Sequence, residues 1–254
     1  VTVEYSGKGD PARSLALLWR TSERVSRKGK PDLSVDRIAR AAIDVADAEG
    51  LQALSMRRVA ERLGVGTMSL YTYVPGKPEL LDVMLDTVYG EVPLEDAEGG
   101  WRDRLQRIAR DNWDLYLRHP WLLQVAASRP VLGPNATAKY DHELRAVDGI
   151  GLTDVEMDSV ITLVSGFVHG TARGAVEAAQ AESHTGVTDE QWWAAHAPFF
   201  NRIADASRFP TATRVGQAAA EAMGAAYSAG HAFEFGLQRL LDGVEALVER
   251  RTRG

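Results

Sequence analysis

Cysteine is absent from all 254 residues. That excludes a disulfide frame, a thiol nucleophile and a cysteine-ligated zinc site. Long apolar runs are lacking as well: no stretch approaches the roughly 18 consecutive apolar residues of a membrane-spanning helix. The N-terminus has no apolar core of the kind a secretory signal carries. The expected setting is therefore cytoplasmic, with no membrane partner. The 6 histidines are scattered, without an H-E-x-x-H pair. Neither a G-x-S-x-G elbow nor a Walker sequence occurs, so no metal, no cofactor and no catalytic group is expected. Asp141-His142-Glu143 reads as a surface triplet, because adjacent side chains on a helix diverge. Strand-like alternation is scarce.

What is present is a divided charge. The net charge is −6, yet residues 1–78 hold 13 Lys/Arg against 9 Asp/Glu, and residues 79–254 hold 16 against 26. A basic front and an acidic remainder point to two parts with different partners. Arg20, Arg24, Arg27, Lys28 and Lys30 form the densest run, opposed only by Glu23. Such a run is either a solvated linker or a basic arm near a polyanion.

Helical punctuation recurs along the chain. Asp10-Pro11 opens a short helix to about Arg20. Ser34 precedes apolar positions at helical spacing, Val35, Ile38, Ala42, Val45 and Ala46, and Gly50 ends that helix. Ser55 caps a second helix ended by Gly64, and a third runs from Thr67 to about Tyr73, where Pro75-Gly76 breaks it. Three short helices, the last two joined across Leu63-Gly64-Val65-Gly66, have helix-turn-helix spacing. With Leu70 and Val74 turned inward, Thr67, Met68, Ser69, Thr72 and Tyr73 suit base edges in type. Tyr71 and Lys77 suit phosphates, and Arg57 a phosphate or a guanine. Such a unit can also be purely structural.

Ala41–Asp86, "AAIDVADAEGLQALSMRRVAERLGVGTMSLYTYVPGKPELLDVMLD", closely resembles the N-terminal domain of the tetracycline-repressor (TetR) family. The acidic remainder, with "RDRL", "RHPWLL", "LGPN" and "FEFGLQRLLDGVEALV", resembles that family's C-terminal domain more loosely. The resemblance implies an all-α, homodimeric repressor of double-stranded operator DNA, released by a small molecule. It places base reading at Arg57, Thr67, Met68, Ser69, Thr72 and Tyr73. Phosphate gripping falls to Tyr71 and Lys77, with Ser55 added at the cap of the second helix. The implied division is an N-terminal extension with a basic arm (1–32), a DNA-binding domain (33–80) and a helical ligand-binding and dimerisation domain (81–254).

In the acidic part, Thr153-x-x-Glu156 and Thr188-x-x-Gln191 are capping boxes, and "YSAGH" (227–231) reads as a loop before a final helix. Gly166, Gly170 and Gly174 fall on one helix face, which suggests close approach by a second helix or room for a ligand. Leu237, Leu240, Leu241, Val244, Leu247 and Val248 form an apolar stripe. Trp113, Phe167, His169, Arg173, Trp192 and His196 mix aromatic and polar groups as a small-molecule pocket does. The same residues would also serve as plain core. As a pocket they favour a flat, partly aromatic effector. The rival reading is an all-α small-molecule binding protein or enzyme whose helix-turn-helix is structural.

Overall fold

The computed structural model describes residues 4, 5, 7, 9–21, 33–95, 98–126, 129–204, 206–224 and 227–253. Arg24, Arg27, Lys28 and Lys30 lie outside these. Helices carry the fold: α1 (Pro11–Leu18), α2 (Val35–Glu49), α3 (Met56–Leu63), α4 (Thr67–Leu70), α5 (Lys77–Tyr89), α6 (Trp101–Arg118), α7 (Pro134–Arg145), α8 (Asp154–Thr185), α9 (Asp189–Ile203), α10 (Pro210–Met223) and α11 (Ala229–Arg253). A 3-10 turn at Pro120–Gln124 follows α6. The all-α expectation holds apart from one two-residue pair, β1 (Glu4–Tyr5) parallel to β2 (Val125–Ala126).

Local signals set most helix ends. Asp10, Ser34, Ser55, Thr153 and Thr188 each accept a bond from a first-turn backbone N–H, which satisfies a donor the helix cannot. Two expectations shift. The third helix closes at Leu70, because both Tyr73 N and Val74 N donate to Leu70 O (2.9 Å each) and residues 71–73 tighten into turns. "YSAGH" is no loop after Tyr227-Ser228: the Ser228 hydroxyl accepts from His231 N (3.3 Å), and α11 begins at Ala229.

Two buried clusters organise these elements. The first joins α2 through α5 around Ile38, Val59, Leu70 and Leu80, and takes in Leu18, Trp121 and Leu122. Residue 80 falls within α5, and Leu80, Leu81, Met84 and Val88 all belong to this cluster. The second joins α6, α8 and α11 around Leu105, Val164, Val168, Phe233, Leu237 and Leu241. Gly236 permits close approach here, and a Cβ at Gly174 would stand 3.1 Å from the Tyr227 hydroxyl. A Cβ at Gly236 would stand 2.4 Å from the Phe167 ring, whereas at Gly166 and Gly170 it would meet nothing within 4 Å. His142 and Glu143, expected at the surface, are buried at 6% and 4% exposure. Asn112 donates to Glu143 at 2.9 Å, and Lys139 pairs with it.

Described residues of the N-terminal extension pack beside α5 and the segment before α7. Gly7 N donates to Asp82 (3.0 Å), Trp19 Nε1 donates to Leu132 O (2.9 Å), and Leu18 is buried. Burial pushes the Asp82 carboxyl up, against the Gly7 bond, and nearby Glu79 adds to the rise. A carboxyl raised on folding binds more protons in the native state, so its contribution to stability grows as pH falls from neutral toward the unfolded carboxylate value. Thermal melts between about pH 7 and about pH 5 should show that gain shrink in Asp82→Asn, whose amide oxygen still accepts from Gly7.

Candidate nucleic-acid interface and effector site

α3, the turn and α4 build the surface that carries the residues expected to read DNA. Gly64 adopts φ 67, the left-handed conformation, and Val65 N donates back to Ala60 O (3.0 Å). Glycine reaches that φ without a Cβ penalty. Ala60, Leu70 and Val74 are buried. Met68 is 77% exposed, and Ser69, Tyr71 and Thr72 are exposed beside it. Thr67 and Lys77 are half-buried. Tyr73, expected to read a base, is half-buried against the first cluster. That leaves its ring partly committed to the core.

The cations divide by role. Arg57 is 84% exposed and pairs with its own helix neighbour Glu61 (2.9 Å). Arg58 instead ties α3 to α2, with Nη2 2.7 Å from Glu49, and Arg62 faces Asp44 (3.6 Å). The Arg58 bond holds the Glu49 carboxyl below its usual range. Ser55 spends its hydroxyl on the α3 cap, accepting from Arg58 N (3.1 Å). Arg20 pairs with Asp36 of α2.

Four of the six residues expected at the effector site lie on α6 and α8, three of them in ring contacts. Trp113 packs on Phe233 (centroids 4.4 Å apart) and Phe167 on Phe233 (6.0 Å). Tyr116 meets His169 edge-on at 5.5 Å. Burial, with help from Arg173, pushes the His169 ring down, toward its neutral form, and its Nε2 is buried without a partner. A neutral imidazole with one free nitrogen can accept or donate one bond to a guest. Arg173 is already engaged, donating from Nη2 to Leu123 O (2.8 Å). Trp192 and His196 do not join this group. They stack on each other (4.0 Å) on α9, none of whose side chains is buried. Phe233 and Tyr116 were missed because only tertiary packing brings α11 and this face of α6 to α8. Among the described residues no group of His, Asp and Glu could hold a metal.

An exposed recognition helix on a glycine turn, backed by a separate helical bundle with an aromatic interior, defines a DNA-binding regulator with its own sensing domain. The chain belongs to the tetR family of bacterial regulatory proteins: that family's model matches residues 38–84, and the tetracyclin repressor-like C-terminal domain matches residues 92–248. It is a ligand-responsive transcriptional regulator of that family. It is 48% identical to the HTH-type transcriptional repressor DrrR1 of Streptomyces coeruleorubidus, over 98% of this chain and 91% of that one. It is 29% identical to the class A tetracycline repressor protein from transposon 1721 of Escherichia coli, over 54% of this chain and 65% of that one. Among solved structures it is similar to Streptomyces coelicolor ActR in complex with actinorhodin, at TM-score 0.72 and 30% identity, covering 85% of this chain and 97% of that one.

Proposed function

We propose that this protein is a repressor rather than an enzyme, that it acts in the cytoplasm, and that it binds a palindromic operator as a homodimer. A flat, partly aromatic small molecule releases it. The observation that carries the reading is the exposed set Met68, Ser69, Tyr71 and Thr72, held on buried Leu70 and Val74 by the Gly64 turn. Support for the dimer comes from α8, where Gly166 and Gly170 face open space beside Leu163, which is 55% exposed. Support for the effector comes from the Trp113, Phe167 and Phe233 group with the unpartnered His169 Nε2, and from ActR, solved with actinorhodin. A twofold dimer presents its two reading helices to half-sites about one DNA turn apart.

A gel shift against DNA upstream of the protein's own gene tests the reading: specific binding with a steep salt dependence supports it, and no binding would favour the rival, a small-molecule binding protein or enzyme with a structural helix-turn-helix. The basic run bears on the same experiment. Replacing Arg24, Arg27, Lys28 and Lys30 with glutamine should flatten the slope of log affinity against log salt by about 0.9 for each phosphate that the run neutralises. An unchanged slope would place the run off the DNA.

A further inference from the structure

Four elements meet at one ring. His119, at the end of α6, is 4% exposed. Its Nδ1 lies 2.8 and 3.0 Å from the two carboxylate oxygens of Asp47 on α2, and its Nε2 lies 3.0 Å from Glu91 Oε2, just beyond α5. Trp121 Nε1, in the 3-10 turn, donates to Asp47 Oδ1 (2.8 Å), and Arg118 Nη1 donates to Glu91 Oε2 (3.0 Å). The charged groups around the ring are therefore Asp47 from α2, Glu91 from the segment after α5 and Arg118 from α6. A carboxylate oxygen only accepts, so a ring bonded at both nitrogens must donate from both and carry a positive charge. Burial pushes the Glu91 carboxyl up, but the bonds from His119 and Arg118 outweigh it and hold the group below its usual range.

The segment that carries His119 is also tied to the other side. Arg173 of α8 donates to Leu123 O, and Tyr116, one turn before His119, meets His169. Residues 116–124 thus touch α8 through Tyr116 and Leu123, and α2 and the segment after α5 through His119 and Trp121 between them.

We propose that His119 is a proton-dependent clamp, a positioning residue that fixes the operator-reading unit against the effector domain. The proposal rests on the reading of this chain as an operator-binding repressor. A neutral ring can donate from one nitrogen only. Trp121 holds Asp47 in place, so the remaining proton stays on Nδ1, and Glu91 then faces a lone pair and lets go. That frees the segment following α5, the helix that leads directly from the reading turn. Two reading helices held in fixed geometry cost less to seat on two half-sites than two that must be ordered on binding. Operator affinity should therefore be higher where the ring holds both protons than where it holds one.

The test is fluorescence anisotropy on operator DNA at about pH 6 and about pH 8.5, with wild type and His119→Asn, which keeps a donor toward Asp47 but no charge. Wild type should bind roughly tenfold more tightly at the lower pH, the scale of one charge-assisted bond. The variant should keep about twofold or less of that gain. An equal pH ratio in both proteins would overturn the clamp. Ring nitrogen chemical shifts of free wild-type protein give a reading independent of DNA and of the variant's folding. Two protonated nitrogens on His119 at about pH 6 support the clamp, and a single neutral tautomer there overturns it. Wild type that recognises no operator would overturn the functional reading instead, and the ring shifts would then decide the clamp alone.

Discussion

A protein carrying Met68→Ala, Ser69→Ala and Thr72→Ala together is expected to lose specific operator binding by two orders of magnitude or more, with almost no change in thermal stability. The separation follows from where these side chains sit. All three are exposed and none belongs to a buried cluster, and a surface substitution of this kind shifts stability by no more than about 0.5 kcal/mol. A good base-edge contact in the major groove is worth about 1–3 kcal/mol of discrimination, so losing three of them, at about 1 kcal/mol or more each, exceeds a hundredfold. Non-specific binding, carried by charge, should persist in the variant with its salt dependence intact. Anisotropy on operator and scrambled duplexes, beside a thermal melt, measures both halves of the result. Tyr73→Ala should behave differently: its ring packs partly on the first cluster, so that variant should lose stability as well as affinity.

The second large effect belongs to Trp121. The ring is 1% exposed, packs in the first cluster, and donates from Nε1 to Asp47 at 2.8 Å. Trp121→Ala removes a large buried side chain where the surrounding helices cannot fully collapse, and should cost about 3–5 kcal/mol. Against a total stability of roughly 5–15 kcal/mol that is a large share. Trp121→Phe keeps most of the apolar volume and loses the donor. Because His119 still bonds Asp47, the phenylalanine variant should lose only about 1–2 kcal/mol. Urea denaturation of the two variants separates packing from the hydrogen bond; equal losses would mean that the bond to Asp47, and not the volume, stabilises this junction.

The DNA-reading half was legible because its signals are local. Ser34, Ser55, Gly50 and Gly64 each act within a few residues of themselves, and the structure uses all four as helix ends. Leu70 and Val74 were readable as inward positions from the turn and the proline break that bracket them. The length of α4 was not, since the bonds to Leu70 O that close it early depend on how residues 71–74 pack. In the acidic half, composition pointed to Trp113 and Phe167, which both pack on Phe233, and to His169, which meets Tyr116. The same logic misplaced Trp192 and His196, because aromatic content does not report burial and α9 buries nothing within this chain. Glycine spacing was only partly readable: within this chain Gly174 lies against Tyr227 and Gly236 against Phe167, while Gly166 and Gly170 face open space. At the His119 junction the sequence offered the "RHPWLL" stretch but not its partners, since Asp47 and Glu91 lie 72 and 28 residues of chain from His119. No local pattern marks such a site.

The account as a whole turns on recognition of a particular DNA sequence by residues 67–72. Footprinting of the protein on DNA upstream of its own gene, titrated across salt and repeated with the Met68, Ser69 and Thr72 alanine variant, tests that directly. The predicted result is a protected palindrome with two half-sites about one helical turn apart, a steep loss of affinity with salt, and no protection by the variant. Equal protection by wild type and variant, or binding without sequence preference, would contradict it.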